Sequence, residues 1–579
     1  MKRYGKYIKP YLPYFILGPL CMIIEVIGEV IMPKLLATII NAHAIGADTV
    51  GGSLTTMLLM ILTALVMMAG GVGGAYFATK ASVNFAADLR EDIYKKIETF
   101  TFSNIDRFST GSLVTRLTND VTQMQNFIAM LLRMALRAPG MMIAGLIMAI
   151  ALRPSLSVVF AVSVPLLLIS IAFIIGKGFA RFGKMQSKID GLNATVQENI
   201  TNVRVVKSFV REDFEREKFA KANGELKHAG MSAMKTMIFM SPVMTLVMNA
   251  TTIAVLWLGG DAVLTEGMLP GDLSQFLVYV TQILSSLMMI TFMLMNSSRA
   301  LASSRRIGEV LDEDPDFSDK GAAFPDARIE RGEITFKNVS FRYYKNSEER
   351  VLSDISFHIP AGKTVGIIGS TGCGKTTLVS LIPRLYEADA GEILIDGVDV
   401  RDYSLSHLRD GVGVVLQKNT LFSGTIRENL LWGDENATEE EMRAACHSAQ
   451  ADKFIDTFPE GYDTLLEQGG TNLSGGQKQR LCIARALLKR PCILILDDST
   501  SAVDTATEAH IRRAFREELK DATKIIIAQR ISSVKDADMI IVMNDGIVTG
   551  IGTHEALLTS STEYREIYES QADMRREGA

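Results

Sequence analysis

Long apolar runs fill the first half of the chain and give way, past residue 300, to short alternating or continuously apolar segments. Runs long enough to cross a ~30 Å hydrocarbon core fall near 14–41, 55–78, 134–152, 155–177, 237–259 and 274–297. Six crossings return both termini to one side. The short connections 42–54 and 260–273 contain no Lys or Arg, whereas the long ones, 80–118 and 178–236, are rich in both. The positive-inside rule assigns the termini and the long connections to the cytoplasm. Those connections keep helical periodicity and few breakers, which predicts helices continuing well beyond the bilayer. Near their tips lie Thr110-Gly-Ser-Leu-Val-Thr-Arg-Leu-Thr-Asn-Asp120 and Val196-Gln-Glu-Asn-Ile-Thr-Asn-Val-Arg-Val-Val-Lys207. Two readings stand for these stretches: solvated helical hairpins, or short segments that dock on a cytoplasmic motor. Ahead of the first run, Lys2, Arg3, Lys6 and Lys9 stand among aromatics. The run that follows is longer than a signal-peptide core, so an interfacial elbow leading into a retained span is predicted.

Hydrophobicity falls between Ser298 and Arg331, where Asp312-Glu-Asp-Pro-Asp-Phe-Ser-Asp-Lys marks a polar linker. Strand-like alternation starts at Glu333-Ile-Thr-Phe-Lys-Asn-Val-Ser-Phe-Arg-Tyr343, and strands then alternate with helices as in an α/β nucleotide domain. The predicted organisation is a membrane α-helical domain of six transmembrane helices over 1–300, a linker over 301–330 and an α/β P-loop domain over 331–579.

Composition agrees with a membrane half and a soluble half. The chain has 579 residues, 48% of them hydrophobic, with 29 methionines and 22% charged residues; the mean hydropathy is +0.19. Five cysteines without C-x-x-C spacing, several in cytoplasmic stretches, argue against structural disulfides. Seven scattered histidines supply no transition-metal cluster.

Candidate chemistry concentrates at Gly369-Ser-Thr-Gly-Cys-Gly-Lys-Thr-Thr377. The apolar Thr364-Val-Gly-Ile-Ile precedes it and Leu378-Val-Ser-Leu-Ile follows, so it reads as strand, glycine loop, helix. This is the P-loop pattern: backbone N–H groups around the phosphates of ATP, Lys375 against the β and γ charges, Thr376 toward Mg²⁺. Five further elements follow. Gln417 closes the strand Val412-Gly-Val-Val-Leu and could reach Mg²⁺ or the attacking water. Leu473-Ser-Gly-Gly-Gln-Lys-Gln-Arg480 is a second glycine turn opening a helix. Cys492-Ile-Leu-Ile-Leu-Asp497-Asp498 ends in two carboxylates suited to a magnesium ion and a water. Ser501-Ala-Val-Asp504 comes at once, and Lys524-Ile-Ile-Ile-Ala-Gln529 is one more buried strand with a polar end.

In this order and at these spacings the motifs resemble a half-size ATP-binding cassette (ABC) exporter of type IV architecture over essentially the whole chain. The resemblance implies that Gly369, Ser370, Thr371, Gly372, Cys373, Gly374, Lys375, Thr376 and Thr377 form the Walker A loop. Gln417 becomes the Q-loop, Ser474, Gly475, Gly476 and Gln477 the signature, Asp497 the Walker B magnesium aspartate and Ser501 to Asp504 the D-loop. Tyr343 matches the aromatic that stacks on adenine. Two cassettes close head to tail in that family, so a second half-transporter subunit is implied. The sequence departs from the pattern twice: Asp498 stands where active members carry Glu, and Gln529 where they carry His. Together these are similar to the degenerate-site subunit of bacterial heterodimeric multidrug-type exporters; a homodimeric exporter or lipid flippase with slow hydrolysis, and an ATP-sensing membrane protein without transport, stay open as alternatives. The expected setting is the bacterial plasma (inner) membrane, with termini and cassette in the cytoplasm and no nucleic-acid partner. A drug-like small molecule, a lipid and a peptide all remain open as substrate. No peptidase-like extension precedes the first span, which argues against leader-cleaving peptide export.

Ionisable side chains inside the spans call for partners. Glu25 and Glu29 share a helix face, as do Arg133 and Arg137. Two readings follow: an ion-pair ladder between the two sets, or an acidic patch that touches substrate.

Overall fold

A computed structural model describes residues 2–46, 50–318, 321–344, 347–497 and 505–577. The chain divides into two compact units, Met1–Glu98 with Thr110–Glu313, and Thr99–Ser109 with Asp314–Ala579.

Among the described residues of the first unit six helical segments are long and apolar enough to cross a membrane: Gly5–Ala44, Gly51–Glu98, Thr110–Leu152, Pro154–Thr201, Glu212–Thr265 and Pro270–Asp312. Each contains one of the apolar runs. The helix Val50–Glu98 has 49 residues. At ~1.5 Å per residue it is about 74 Å long, more than twice the hydrocarbon thickness. The excess carries the basic residues that the positive-inside rule reads. Phe160 and Phe276 stack in the core with ring centroids 5.6 Å apart. With no water to serve buried polar groups, side chains clip helices together. Tyr279 Oη donates to the Val30 carbonyl at 2.9 Å, and Gln282 Nε2 to that of Glu29 at 2.9 Å.

The stretch Thr110–Asp120 is not the tip of the first connection, contrary to the sequence expectation. It already belongs to the third span, and Arg116–Asp120 forms a π-turn within it. Two of its side chains, Arg116 and Asp120, are buried: Asp120 accepts from Ser303 Oγ and Arg306 Nε, both at 2.8 Å, while Arg116 pairs with Glu309 at 2.9 Å. The turn-over lies earlier, in the helix Phe102–Phe108, which belongs to the second unit. A capping box starts that helix: Asn104 Oδ1 accepts from the Thr101 N–H at 3.0 Å and from its hydroxyl at 2.7 Å. The second connection turns through Val203–Ser208, with Phe209 and Val210 73% and 80% exposed beside it. Its two long arms are tied by exposed ion pairs such as Lys188–Glu225 and Lys218–Glu198.

Among the described residues the second unit contains twelve strands: β1 (Ile334–Phe341), β2 (Leu352–Ile359), β3 (Thr364–Gly369), β4 (Ala390–Ile395), β5 (Val398–Asp399), β6 (Val412–Val415), β7 (Gly424–Thr425), β8 (Leu465–Leu466), β9 (Ile493–Asp497), β10 (Thr523–Ile527), β11 (Met539–Asn544) and β12 (Ile547–Gly552). An antiparallel sheet runs β2-β1-β4-β5, and a six-stranded sheet runs β12-β11-β3-β10-β9-β6. Within the latter, β11, β3, β10, β9 and β6 are mutually parallel. Parallel strands are covered on both faces, which explains why β9 reads Ile-Leu-Ile-Leu-Asp without alternation and is buried throughout.

Candidate functional site

Ligands of open parallel sheets gather outside the carboxyl ends of the strands, and the predicted chemistry converges there. The register aligns Ile527 of β10 with both Ile367 of β3 and Asp497 of β9, and Val415 of β6 with Leu496. The glycine loop after β3, Gln529 after β10, Asp497 at the end of β9 and Gln417 after β6 therefore leave four adjacent strands at one edge. Asp497 is buried, whereas Gln417 and Gln529 are exposed. Gln571 Nε2 donates to the Gln529 carbonyl at 2.8 Å, and Gln571 Oε1 accepts from the Ile531 N–H at 2.9 Å. No local sequence signal marks Gln571 for this task. Asp498 and Ser501–Asp504 lie outside the described residues.

The loop has the shape of a phosphate cradle. At Gly369 an added Cβ would meet the Met543 carbonyl oxygen at 2.1 Å, so the backbone of β3 must pass without a side chain there. Gly374 caps the helix Lys375–Ser380 with φ +94°, a left-handed conformation that favours glycine. Cys373 is buried in the core beneath, whereas Ser370, Thr371, Gly372 and Thr376 are exposed. Lys375 Nζ donates back to the carbonyls of Gly369 and Ser370 at 2.9 and 2.7 Å. An anion entering the loop would exchange those two carbonyl contacts for phosphate oxygens, so the donor set fits a nucleotide triphosphate.

Thr377 is buried, and its hydroxyl sits 2.8 Å from Tyr343 Oη. Tyr343 stands edge-on to Phe341 and to Tyr386, with centroids 5.0 and 5.1 Å apart, and remains 40% exposed. The part of the ring not covered by these contacts is open to solvent.

The second glycine turn lies on a different core. Leu473 and Leu481 belong to the apolar cluster that includes Ile426, Met442 and Ile455, whereas Cys373, Leu378 and Val379 belong to the one containing Phe336 and Ile495. Ser474 opens the helix Gly475–Leu488 through a capping box: its N–H donates to Gln477 Oε1 at 2.8 Å, and its hydroxyl accepts from the Gln477 N–H at 3.3 Å.

In the membrane unit, Arg137 reaches both Glu29 (2.7 Å) and Glu25 (3.1 Å). Arg133 is exposed and joins no ion pair among the described residues, so the ladder has one arginine instead of two. The chain turns between the helices Val121–Met134 and Arg137–Leu152, which separates the faces of the two arginines. The outer carboxylate oxygens, Glu25 Oε2 and Glu29 Oε2, are buried without a partner.

Comparison with known proteins agrees with this anatomy. The profile of the ABC transporter transmembrane region matches residues 15–287, and that of the ABC transporter domain matches residues 352–501. An uncharacterized ABC transporter ATP-binding protein of Bacillus subtilis, YfiB, is 39% identical, over 99% of this chain and 98% of its own length. A putative multidrug export ATP-binding/permease protein of the same organism, YgaD, is 33% identical over 99% of both chains. An ATP-dependent lipid A-core flippase of Syntrophus aciditrophicus is 32% identical over 98% of this chain and 94% of its own. The solved structure of a bacterial Atm1-family ABC exporter with ATP bound superposes with a TM-score of 0.79 at 26% identity, over 97% of this chain and 98% of that one. The chain belongs to the ABC transporter family. It is a multi-pass membrane exporter with a cytoplasmic domain that binds ATP, normally with Mg²⁺, and couples its hydrolysis to transport.

Proposed function

We propose that this chain is one half of a heterodimeric ATP-driven exporter that moves small amphipathic compounds out of the cytoplasm or inner leaflet of a bacterial plasma membrane. In this reading it contributes a degenerate ATP site of its own and an intact signature to its partner's site. The observation that carries it is the uncharged Gln529, two residues beyond the strand end at which Ile527 is in register with Asp497 and Ile367. Tyr343 stacks on adenine, the loop N–H groups and Lys375 hold the phosphates, and Thr376, Gln417 and Asp497 hold Mg²⁺. Bound Mg²⁺ neutralises charge on the β- and γ-phosphate oxygens. Asp498 is one methylene shorter than Glu, so its side chain has about an ångström less reach, and a general base must come within ~2.6–3.2 Å of its proton donor. Gln529 supplies no cation at the γ-phosphate. Ser474-Gly-Gly-Gln477 serves the other site, where the partner's base does the hydrolysis. The exposed apolar tip formed by Ile200, Phe209 and Val210 is the kind of surface that a second subunit covers.

A second reading, a homodimeric lipid flippase with slow hydrolysis, is favoured by the relative named a lipid A-core flippase. The two are separated by purifying Asp498→Ala and Ser474→Arg with the partner. Removing a catalytic base costs ~10²–10⁴-fold. The heterodimer reading expects Asp498→Ala to keep most of the ATPase rate and Ser474→Arg to abolish it. A large loss from Asp498→Ala with tolerance of Ser474→Arg refutes the degenerate-site assignment.

A further inference from the structure

Lys34 lies inside the first apolar run, in the helix Leu12–Ala44, and joins no ion pair among the described residues. An ionisable side chain within a span is costly and calls for a partner. Lys34 lines a cavity of about 260 Å³ together with Thr38, Asn41, Asp272 and Gln275, and with the apolar Met148 and Leu152. Asp272 stands in the first turn of the helix Pro270–Asp312, the sixth span, whose far end leads to the cassette. The cavity therefore lies toward the non-cytoplasmic side of the membrane unit.

A polar network holds the walls and determines which atoms are left for a ligand. The Gly271 N–H donates to Asn41 Oδ1 at 2.7 Å, so Asn41 turns its Nδ2 to Asp272 Oδ1, at 2.9 Å. An added Cβ at Gly271 would run into the Ala37 carbonyl and the Asn41 side chain, so this approach of the sixth span to the first needs glycine. Tyr279 gives its one hydroxyl proton to the Val30 carbonyl and therefore accepts from Gln275 Nε2, at 2.9 Å. That commits the nitrogen of Gln275, a residue only 5% exposed, and leaves its carbonyl oxygen as an acceptor. Thr38 likewise spends its proton on the Lys34 carbonyl at 3.0 Å and keeps its lone pairs. Three acceptors and one cation thus line a single cavity, and the carboxylate among them is met by an uncharged amide and not by the lysine.

We propose that this cavity binds a zwitterion made of a primary ammonium and an anionic group, the chemistry of a phosphoethanolamine head group. A primary ammonium carries three N–H donors, which match Asp272, the Gln275 carbonyl and the Thr38 hydroxyl. Lys34 meets the phosphate as a point charge. A quaternary ammonium has no N–H to give and a phosphoglycerol head group has no cation, so either leaves the Asp272 carboxylate unmatched. The volume falls below the ~300–1,000 Å³ of sites for drug-sized ligands, which suits a head group and not a whole amphiphile. Asp272 also favours the first turn of its helix, and Lys34 can reach along its stem toward water; neither of those roles discriminates between head groups.

The test is native mass spectrometry of the full-length transporter in detergent, titrated with phosphatidylethanolamine, phosphatidylcholine and phosphatidylglycerol of identical acyl chains. Calorimetry with soluble glycerophosphoethanolamine and glycerophosphocholine accompanies it. The parent should bind the first phosphatidylethanolamine about tenfold more tightly than either other lipid, the scale of one charge-assisted hydrogen bond. Asp272→Asn should abolish that preference and keep the affinity for phosphatidylglycerol. Thr38→Val, at an exposed position away from the Asn41 network, should reduce the preference in the same sense. Lys34→Met should weaken all three lipids together and leave the preference in place. Preferential binding of glycerophosphoethanolamine over glycerophosphocholine makes a free zwitterion the occupant, and a preference confined to the lipids makes it a lipid head group; either sustains the proposal. Equal affinity of the parent for the three lipids, without preference among the soluble compounds, overturns it. So does a preference that survives in both Asp272→Asn and Thr38→Val.

Discussion

Replacing Arg137 with Ala should destabilise the membrane unit far more than the loss of two hydrogen bonds implies. The guanidinium stands 3.1 Å from Glu25 and 2.7 Å from Glu29, with side-chain exposures of 30%, 15% and 20% for the arginine and the two glutamates. Polar contacts between membrane helices are worth about 0.6 kcal/mol on average and about 1.7 at most. Leaving a buried charge without its partner costs about 3–5 kcal/mol, and here one substitution strands two carboxylates whose outer oxygens already lack partners. The second effect wins. At about 2–4 °C per kcal/mol for a large domain, the apparent melting temperature should fall by about 6–20 °C for a loss of that size. The assay is monodispersity after heating in detergent, at one fixed heating time, because unfolding of such proteins is measured as a rate. Arg137→Met combined with Glu25→Leu and Glu29→Leu should recover most of the loss, since an apolar replacement of the whole cluster strands nothing. A shift below about 5 °C for Arg137→Ala, the range of two average polar contacts alone (about 2–5 °C), would refute the reasoning.

Lys375→Ala should abolish tight binding at the chain's own loop; an unchanged affinity in ATP titrations would remove the P-loop assignment. Tyr343→Ala should weaken ATP binding by about 1–3 kcal/mol through lost stacking, while Tyr344→Ala, at the more exposed neighbouring ring, should not; the opposite order would show the platform to be misassigned by one residue. Burial pushes the Cys446 thiol up to about 12 from an ordinary value near 9. Because the folded state favours the neutral thiol, its contribution to stability is complete below pH 9 and is lost as pH rises from about 9 toward 12. Cys446 should therefore resist iodoacetamide at pH 8 until the domain is unfolded, and mass spectrometry of the modified peptide would reveal early labelling if it does not.

The six spans and the strand ends were legible because each depends on local order in the chain: apolar runs of fixed length, or a continuous apolar strand closing on a polar residue. The glycine loop was legible for the same reason, since its conformation is written in Gly369 and Gly374. The turn-over at Phe102–Phe108 was missed although Thr101-x-x-Asn104 is a variant of a capping box, because the more polar Thr110–Asp120 drew the assignment one helix too far. Arg133 was expected beside Glu25 and Glu29 on the strength of i, i+4 spacing, which holds only inside one unbroken helix; a turn falls between it and Arg137. The Tyr343–Tyr386 contact and the Gln571 clip were invisible for another reason. Each joins residues far apart in sequence, and nothing in the segments themselves records the partner.

The helix Phe102–Phe108 also has a consequence for how the chain is made. It is synthesised inside the membrane half but packs in a unit whose remaining residues begin at Asp314. Tyr386 Oη donates to Asp106 Oδ2 at 2.8 Å, and the two residues are 280 positions apart. At about 5–20 residues per second, Asp106 leaves the ribosome's active centre about 14–56 s before its tyrosine exists. During that interval the helix has only its own cap to hold it. A C-terminal fragment beginning at Asp314 never meets it, and is born with Phe102's place beside Tyr386 empty. Expressed alone, such a fragment starts life missing a piece that the biosynthetic order normally has waiting.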